Sequence, residues 1–392
     1  MALLKMSDTP KLRIKNIIVT DKPVPQKDVL DIASWLLKKR PSSDSQQSAI
    51  ISKPVLTVVP AAGYTLQSKL VASISGNVVF HFNQAANLSA ITASAAYTQR
   101  KQFTLPIESN IWTKNNRFNL VGDFRFYKYP QSTFGLGSSS DVQNENPMNF
   151  IYFRFYEIIQ TKIAGNFFAG AGYILDYHWN ISEQGIKSGA VSDYQKYGTA
   201  THTRSAGITL NALYDIRDNP INPSGGFYTN IQYRHNYVAF GSTSAWQSLI
   251  VDVRKYIPFP GASENVLALW SYNWIVLKGK PPYLDLPSNG WDSYSSTGRG
   301  YIQGRFRGAQ MIYGETEYRF RITRNGLFGG VIFANAASLS AGPGTPLETA
   351  EPGFGSGLRI KLNKVSKTNI SIDYGFGLHG SKGLFVNIGE LF

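Results

Sequence analysis

Leu70–Phe82 reads LVASISGNVVFHF, and its two interleaved halves differ in kind. The even positions are Leu70, Ala72, Ile74, Gly76, Val78, Phe80 and Phe82, whereas the odd ones include Ser73, Ser75, Asn77 and His81. Side chains alternate between the two faces of a strand, so this segment has one greasy face and one polar face. The pattern recurs. Phe118, Leu120, Phe124 and Phe126 oppose Asn119, Asp123 and Arg125. Phe227, Ile231 and Tyr233 oppose Asn230, Gln232 and Arg234, and Ile370, Ile372, Tyr374, Phe376 and Leu378 oppose Asn369, Ser371 and Asp373. A soluble β-sandwich gives the same local alternation, but the number and length of the segments weigh against it. Between 53–64 and 382–391 there are about sixteen, most at or above the ~9–11 residues that cross a bilayer at a tilt. The spacing predicts an all-β fold over residues 53–392, a transmembrane antiparallel β-barrel of about sixteen strands.

The connections support this independently. The four long loops, 129–148, 181–202, 278–308 and 340–352, all follow odd-numbered segments. Connections after even-numbered segments are mostly tight, as at Thr113–Asn116, Pro258–Ser263, Thr323–Gly326 and Asn363–Lys367, and the longest, Asp215–Gly225, is rich in turn residues. Long loops on one rim and short turns on the other are the asymmetry of a bacterial outer-membrane barrel. An even strand count then puts both chain ends on the short-turn, periplasmic side.

Composition narrows the function classes. Charged residues make up only 16% of the chain, below the quarter or so usual for soluble domains, while aromatics reach 13%. No apolar run approaches the ~18 residues of a membrane-spanning helix. The net charge of +14 raises a nucleic-acid reading, yet Lys and Arg are scattered through alternating segments without a basic helix or binding motif. Lumenal and interfacial charge facing anionic lipid is the better account, with outer-membrane lipids as partners and no nucleic acid. There is no cysteine, so disulfides and thiolate metal sites are unavailable. Residues 1–25 lack the apolar stretch of a secretory signal, so the expectation is a signal removed or replaced, with an organelle barrel less favoured.

Residues 1–52 differ in character and read as a periplasmic extension. Pro23–Pro25 is extended, and Asp28–Lys39 has helical spacing, with Val29, Ile32, Ala33, Leu36 and Leu37 on one side and Trp35 among them. Lys38, Lys39 and Arg40 suit a helix C-terminus, and Pro41 stops it. Val29, Ile32, Trp35 and Leu36 are therefore candidates for a helix that plugs the lumen or docks a partner, against the plain alternative of a loose tether.

Three stretches carry a resemblance. Tyr214–Tyr228, YDIRDNPINPSGGFY, combines turn residues with a strand start at Gly226. Gly298-Arg299-Gly300-Tyr301 lies inside the loop 278–308, between the eleventh and twelfth segments. Gly314-Glu315-Thr316-Glu317-Tyr318-Arg319-Phe320 follows it, with Glu315, Glu317, Arg319 and Arg321 on one face. Together they resemble the BamA/TamA-like barrels of the bacterial surface antigen superfamily. The resemblance implies that Arg299, Gly300 and Tyr301 form the tip of a loop folded back into the lumen, where Glu317 receives Arg299. A second acceptor position, usually Asp, is here Asn335, which removes a charge and leaves Glu317 as the main ionic partner. The terminal Phe392, after Leu384, Val386 and Ile388, resembles a sorting signal for barrel insertion. Family members usually carry POTRA domains before the barrel, and 1–52 leaves no room for one, so a short, POTRA-less form is expected.

The resemblance implies a non-enzymatic assembly or translocation factor that needs no cofactor, works with separate envelope or outer-membrane partner proteins, and opens at a weakly paired seam between 53–64 and 382–391. A passive porin is the main alternative. A barrel enzyme is the weaker one: His81, His178, His202, His235 and His379 are scattered, and neither His202–Thr203 nor Asp176–His178 forms a nucleophile motif. The glycine-rich string Gly353–Gly357 lies on a strand, not at a strand-to-helix turn, so it signals no nucleotide site.

Overall fold

The computed structural model describes residues 24–36, 54–65, 68–261, 263–292 and 295–392. Its strands, in chain order, are β1 (Val55–Thr65), β2 (Lys69–Phe80), β3 (Ser89–Thr98), β4 (Phe103–Trp112), β5 (Phe118–Lys128), β6 (Gln131–Thr133), β7 (Asn146–Ala164), β8 (Phe167–Glu183), β9 (His202–Asp215), β10 (Gly226–Asn236), β11 (Trp246–Pro258), β12 (Val266–Gly279), β13 (Gln310–Arg321), β14 (Phe328–Ser340), β15 (Glu351–Asn363), β16 (Thr368–Gly377) and β17 (Lys382–Ile388). Each pairs antiparallel with the next, except that β6 is a short spur on β7 and β5 pairs directly with β7. The other sixteen are the staves of a nearly closed barrel. The remaining gap lies between β1 and β17. They pass side by side, and a Cβ at Gly63 would sit 3.6 Å from Val386 Cγ2, yet no ladder joins them among the described residues.

Alternation sorts the side chains as the sequence predicts. Leu70, Ile74, Leu210, Ile332 and Phe354 point outward and are each more than half exposed. A belt of that kind is an aggregation liability in water and the expected surface in hydrocarbon. The inward set holds Arg125, Arg154, Asp176, Arg234, Arg254, Glu315, Glu317 and Arg319, all buried. Burial of so many charges requires partners, and the lumen supplies them.

Several local expectations shift. The last strand, expected over 382–391, stops at Ile388 because Gly389, at φ +103°, turns the chain into the lumen. The segment expected at 226–240 leaves the sheet at Asn236, and β7 outruns its expected 149–162 at both ends. The N-terminal helix is α1 (Val29–Leu36); residues 37–39 of the expected 28–39, and the side chain of Leu36, lie outside the described residues. A second helix, α2 (Asp193–Tyr197), sits in the long loop after β8. There Ser192 and Gln195 form a reciprocal cap.

Detergent-extracted protein is expected to give a β-dominated circular dichroism spectrum and to stay folded in SDS until heated. A water-soluble, helix-rich monomer would end the barrel assignment.

Candidate functional site

The site is built on four adjacent staves, β13 to β16, whose cross-strand register stacks three inward rows. One row runs Glu315, Asn335, Gly353, Gly377; the next Glu317, Phe333, Gly355, Gly375; the third Arg319, Val331, Gly357, Asp373. Acidic groups thus line the β13 side, and glycines hollow the β15–β16 side. The loop between β12 and β13 folds into that hollow. A Cβ at Gly353 would come within 2.6 Å of the Arg299 carbonyl oxygen, and one at Gly375 within 2.7 Å of the Gly300 nitrogen. Gly300 itself, at φ +105°, lies in a region that L side chains rarely adopt.

Arg299 is 1% exposed, so its charge has to be matched inside the protein. Its guanidinium contacts Glu315, Glu317 and Asp373, the last at 2.7 Å, and lies 3.6 Å over the Phe333 ring. The carboxylates are shared in turn. Arg319 Nε donates to Glu317 at 2.7 Å, while Arg359 donates to Asp373 at 2.5 Å and to Glu390 at 2.7 Å. Asn335 takes a different role from an acidic acceptor: its Nδ2 donates to the Arg299 carbonyl oxygen at 3.0 Å. The charge missing at 335 is supplied instead by Glu315 and Asp373, so Glu317 is not the sole ionic partner. Tyr301 is pinned beside them, its hydroxyl donating to the Pro352 carbonyl at 2.6 Å and accepting from the Leu378 amide at 2.9 Å.

A family model for the Omp85 superfamily domain matches residues 83–385. The chain belongs to the Omp85 superfamily. Among solved structures, the chain is similar to BamA from Haemophilus ducreyi lacking POTRA domains 1–3, at 12% identity and a TM-score of 0.53, over 86% of this chain and 69% of that one. It is also similar to CdiB from Acinetobacter baumannii, at 11% identity and a TM-score of 0.52, over 88% of this chain and 66% of that one, just under two thirds. At such identities the likeness is one of fold. A search among curated proteins finds no match.

This Omp85 barrel holds its loop at a second place that sequence reading missed. Asp285 is buried against the opposite wall, accepting from Ser205 Oγ at 2.5 Å and lying 3.4 Å from His178 Nδ1. Burial and the nearby Asp176 carboxylate push Asp285 up to about 7, against the Ser205 donation and the Arg234 and Arg154 charges. The carboxylate sits between serine and imidazole, so the order is wrong for a serine nucleophile activated by histidine. Between the two anchors Trp291 packs against Tyr127, Tyr129, Phe150 and Tyr152, and Arg307 Nη1 donates to the carbonyls of Tyr283 and Leu284. The only hint of these contacts in sequence was aromatic density.

The chain end joins the same cluster. Phe392 stacks on Trp270 inside the lumen with ring centroids 5.0 Å apart; its oxygen accepts from Arg319 at 2.8 Å, and the Leu391 oxygen accepts from Ser296 of the loop. Helix α1 lies apart, on the short-turn rim. The Lys27 amide donates to the Asn325 carbonyl, the Lys364 amide to Asp28, and Lys364 Nζ to Asp31 at 2.8 Å. Val29 and Ile32 are half-buried and Trp35 is exposed.

Arg299→Ala and Glu317→Ala are each expected to open loop 278–308 to proteolysis in a folded barrel, since unpairing a buried charge costs ~3–5 kcal/mol. The double variant adds little, and fully additive effects in a double-mutant cycle would refute the pairing. Asp285 gives a pH dependence. Its folded pKa lies above the usual 3.8, so the loop anchor is strongest below that value and weakens as pH rises toward about 7. Asp285→Asn is expected to flatten protease protection measured across about pH 5 to 8. Equal slopes for variant and wild type would exclude Asp285 as the cause.

Proposed function

We propose that this Omp85 barrel is an outer-membrane protein assembly or translocation factor. The observation that carries the reading is the seam. Fifteen antiparallel ladders tie the sixteen staves together, and the sixteenth junction, β1 with β17, has none among the described residues. A strand edge with unpaired amides and carbonyls is a template for another strand, so a client strand has somewhere to begin. Pro60, which lacks an amide hydrogen, sits in β1 and weakens any ladder there.

The porin reading fits less well, because loop 278–308 fills the lumen that would have to conduct. In the proposed reading Arg299 and its carboxylates latch that loop in place. The long-loop rim faces outward from the cell, the short-turn rim and both chain ends face the periplasm, and Phe392 serves as a sorting signal before it is buried in the finished barrel. Residues 1–52 form the periplasmic extension. There α1 docks a separate envelope protein; exposure of Trp35 and attachment to the rim, rather than inside the lumen, favour this over a plug.

The test exploits the lack of cysteine in the chain. Cysteines replacing Gly63 and Val386 are expected to bridge the seam on oxidation. In liposomes, the reduced variant accelerates insertion of an unfolded outer-membrane protein and the oxidised one does not, with activity returning on reduction. Equal insertion by both forms would remove seam opening as the mechanism.

A further inference from the structure

On the lumenal side of the wall from β5 to β10, Arg125, Arg154 and Arg234 each meet a carboxylate. The outer side of that wall differs. Lys128, at the end of β5, and Arg204, near the start of β9, face outward at the long-loop rim. Both are exposed, and neither makes an ion pair among the described residues. We propose that this patch of outer wall binds a glycolipid of the outer leaflet through two phosphate groups. The inference rests on the orientation proposed above, in which the long-loop rim faces out of the cell.

Strand register fixes where the cations stand. Lys128 pairs with Ile151 on β7, Ile151 with Trp179 on β8, and Trp179 with His202 on β9, so these four form one outward row. Its two ends are three strand spacings apart, about 14 Å. Arg204 lies two residues below His202 on the same face, beside Tyr177 in the next row. Neither outward row contains an acid.

The arginine is held at its own end of the patch. Its guanidinium lies 4.9 Å over the Tyr177 ring, and a Cβ at Gly241 in the next loop would come within 3.3 Å of its Nη1. Tyr177 stacks in turn on Trp179, with ring centroids 4.9 Å apart. One phosphate cannot rest against both Arg204 and Lys128 with that stack between them. A ligand that meets both ends carries two anionic groups, one for the guanidinium fork and one for the ammonium.

Depth decides the kind of anion. Trp and Tyr collect where hydrocarbon meets headgroups, and a cation on the lipid face costs little there but much at the midplane. Phe126, exposed two residues below Lys128, continues the apolar belt beneath. The two cations therefore lie at headgroup level, where phosphates are the available anions. Between them the half-buried Trp179 offers a flat apolar ring, which suits the C–H face of a sugar, and the His202 imidazole adds a hydrogen-bonding group beside it. A phosphorylated disaccharide bearing acyl chains meets all three demands, whereas a phospholipid brings no sugar.

The experiment adds diphosphoryl lipid A to the full protein in detergent and counts bound lipid by native mass spectrometry, with monophosphoryl lipid A and cardiolipin as comparisons. Diphosphoryl lipid A is expected to bind saturably and more tightly than either. Lys128→Gln and Arg204→Gln should each weaken it by about fivefold, whereas Lys162→Gln, at the short-turn end of β7, should leave it unchanged. Retained heat-modifiability in SDS shows that each variant is folded. The site is overturned if diphosphoryl lipid A does not saturate, if both rim variants bind it as well as wild type, if Lys162→Gln weakens it equally, or if either comparison lipid binds as tightly. Orientation is read separately: Val191→Cys, exposed in the loop after β8, should react with an impermeant maleimide on intact cells. Absence of labelling would overturn the outer leaflet as the source even where lipid A binds in detergent. The seam-cysteine assay reports on assembly activity independently of both.

Discussion

A guanidinium shut away from solvent must find its counter-charges where it sits, and the Arg299 side chain imposes that condition on the lumen of this barrel. Desolvating such an ion costs several kcal/mol, offset only when partners surround it. Much of the wall follows from that requirement. The acids have to stand on the inward parity of β13 and β16, as Glu315, Glu317 and Asp373 do. Their combined negative charge in turn needs Arg319 and Arg359 beside them. The loop backbone must approach closely enough to deliver the guanidinium, which explains glycine at 353 and 375, where any side chain would strike it. Remove the arginine and the remaining wall is an unbalanced acidic patch facing a hollow with nothing to fill it.

The opposite wall solves a similar problem without the loop tip. Asp123, Asp176 and Asp252 meet Arg125, Arg154, Arg234 and Arg254 largely by cross-strand and same-strand pairing. Pairs two residues apart on one strand share a face, so Asp123–Arg125 and Asp252–Arg254 follow directly from strand periodicity. The lumenal charges are closely matched, and the excess of fourteen positive charges over the chain is therefore not a lumenal property.

That contrast also explains what could be read from sequence. Parity is local, so the inward face of Glu317 and of Asp373 was legible from their neighbours, as were the staves and the two kinds of rim. The meeting of Arg299 with Asp373 was not, because it joins positions 74 residues apart with three strands between them. Nor was the turn at Gly389. Leu384, Val386 and Ile388 continue an alternating pattern, and the contacts that hold the turned chain inward, Arg359 with Glu390 and Trp270 with Phe392, are distant in sequence. The glycines of β15 and β16 were visible but uninformative, since a hollow has meaning only once the object filling it is known. Helix α2 is the opposite case: Ser192 and Gln195 stand three apart as a capping box does, a local signal sufficient to find it.

The cluster around Arg299 does more than hold a loop. Asp373 accepts from Arg299 and Arg359, and Arg359 also grips Glu390, the residue just past the seam strand β17. Arg319 links Glu317 to the Phe392 oxygen, and Ser296 of the loop reaches Leu391. Loop tip and seam strand therefore draw on the same few charges. Groups that share partners in one network do not contribute independently, so withdrawing Arg299 changes how firmly Arg359 and Arg319 hold the chain after β17. Coupling between two sites is reciprocal when both are described by equilibria. Displacement of β17 would accordingly loosen the loop by the same free energy by which a loosened loop favours that displacement. The link needs no long path through the barrel, because both elements end at the same acidic wall.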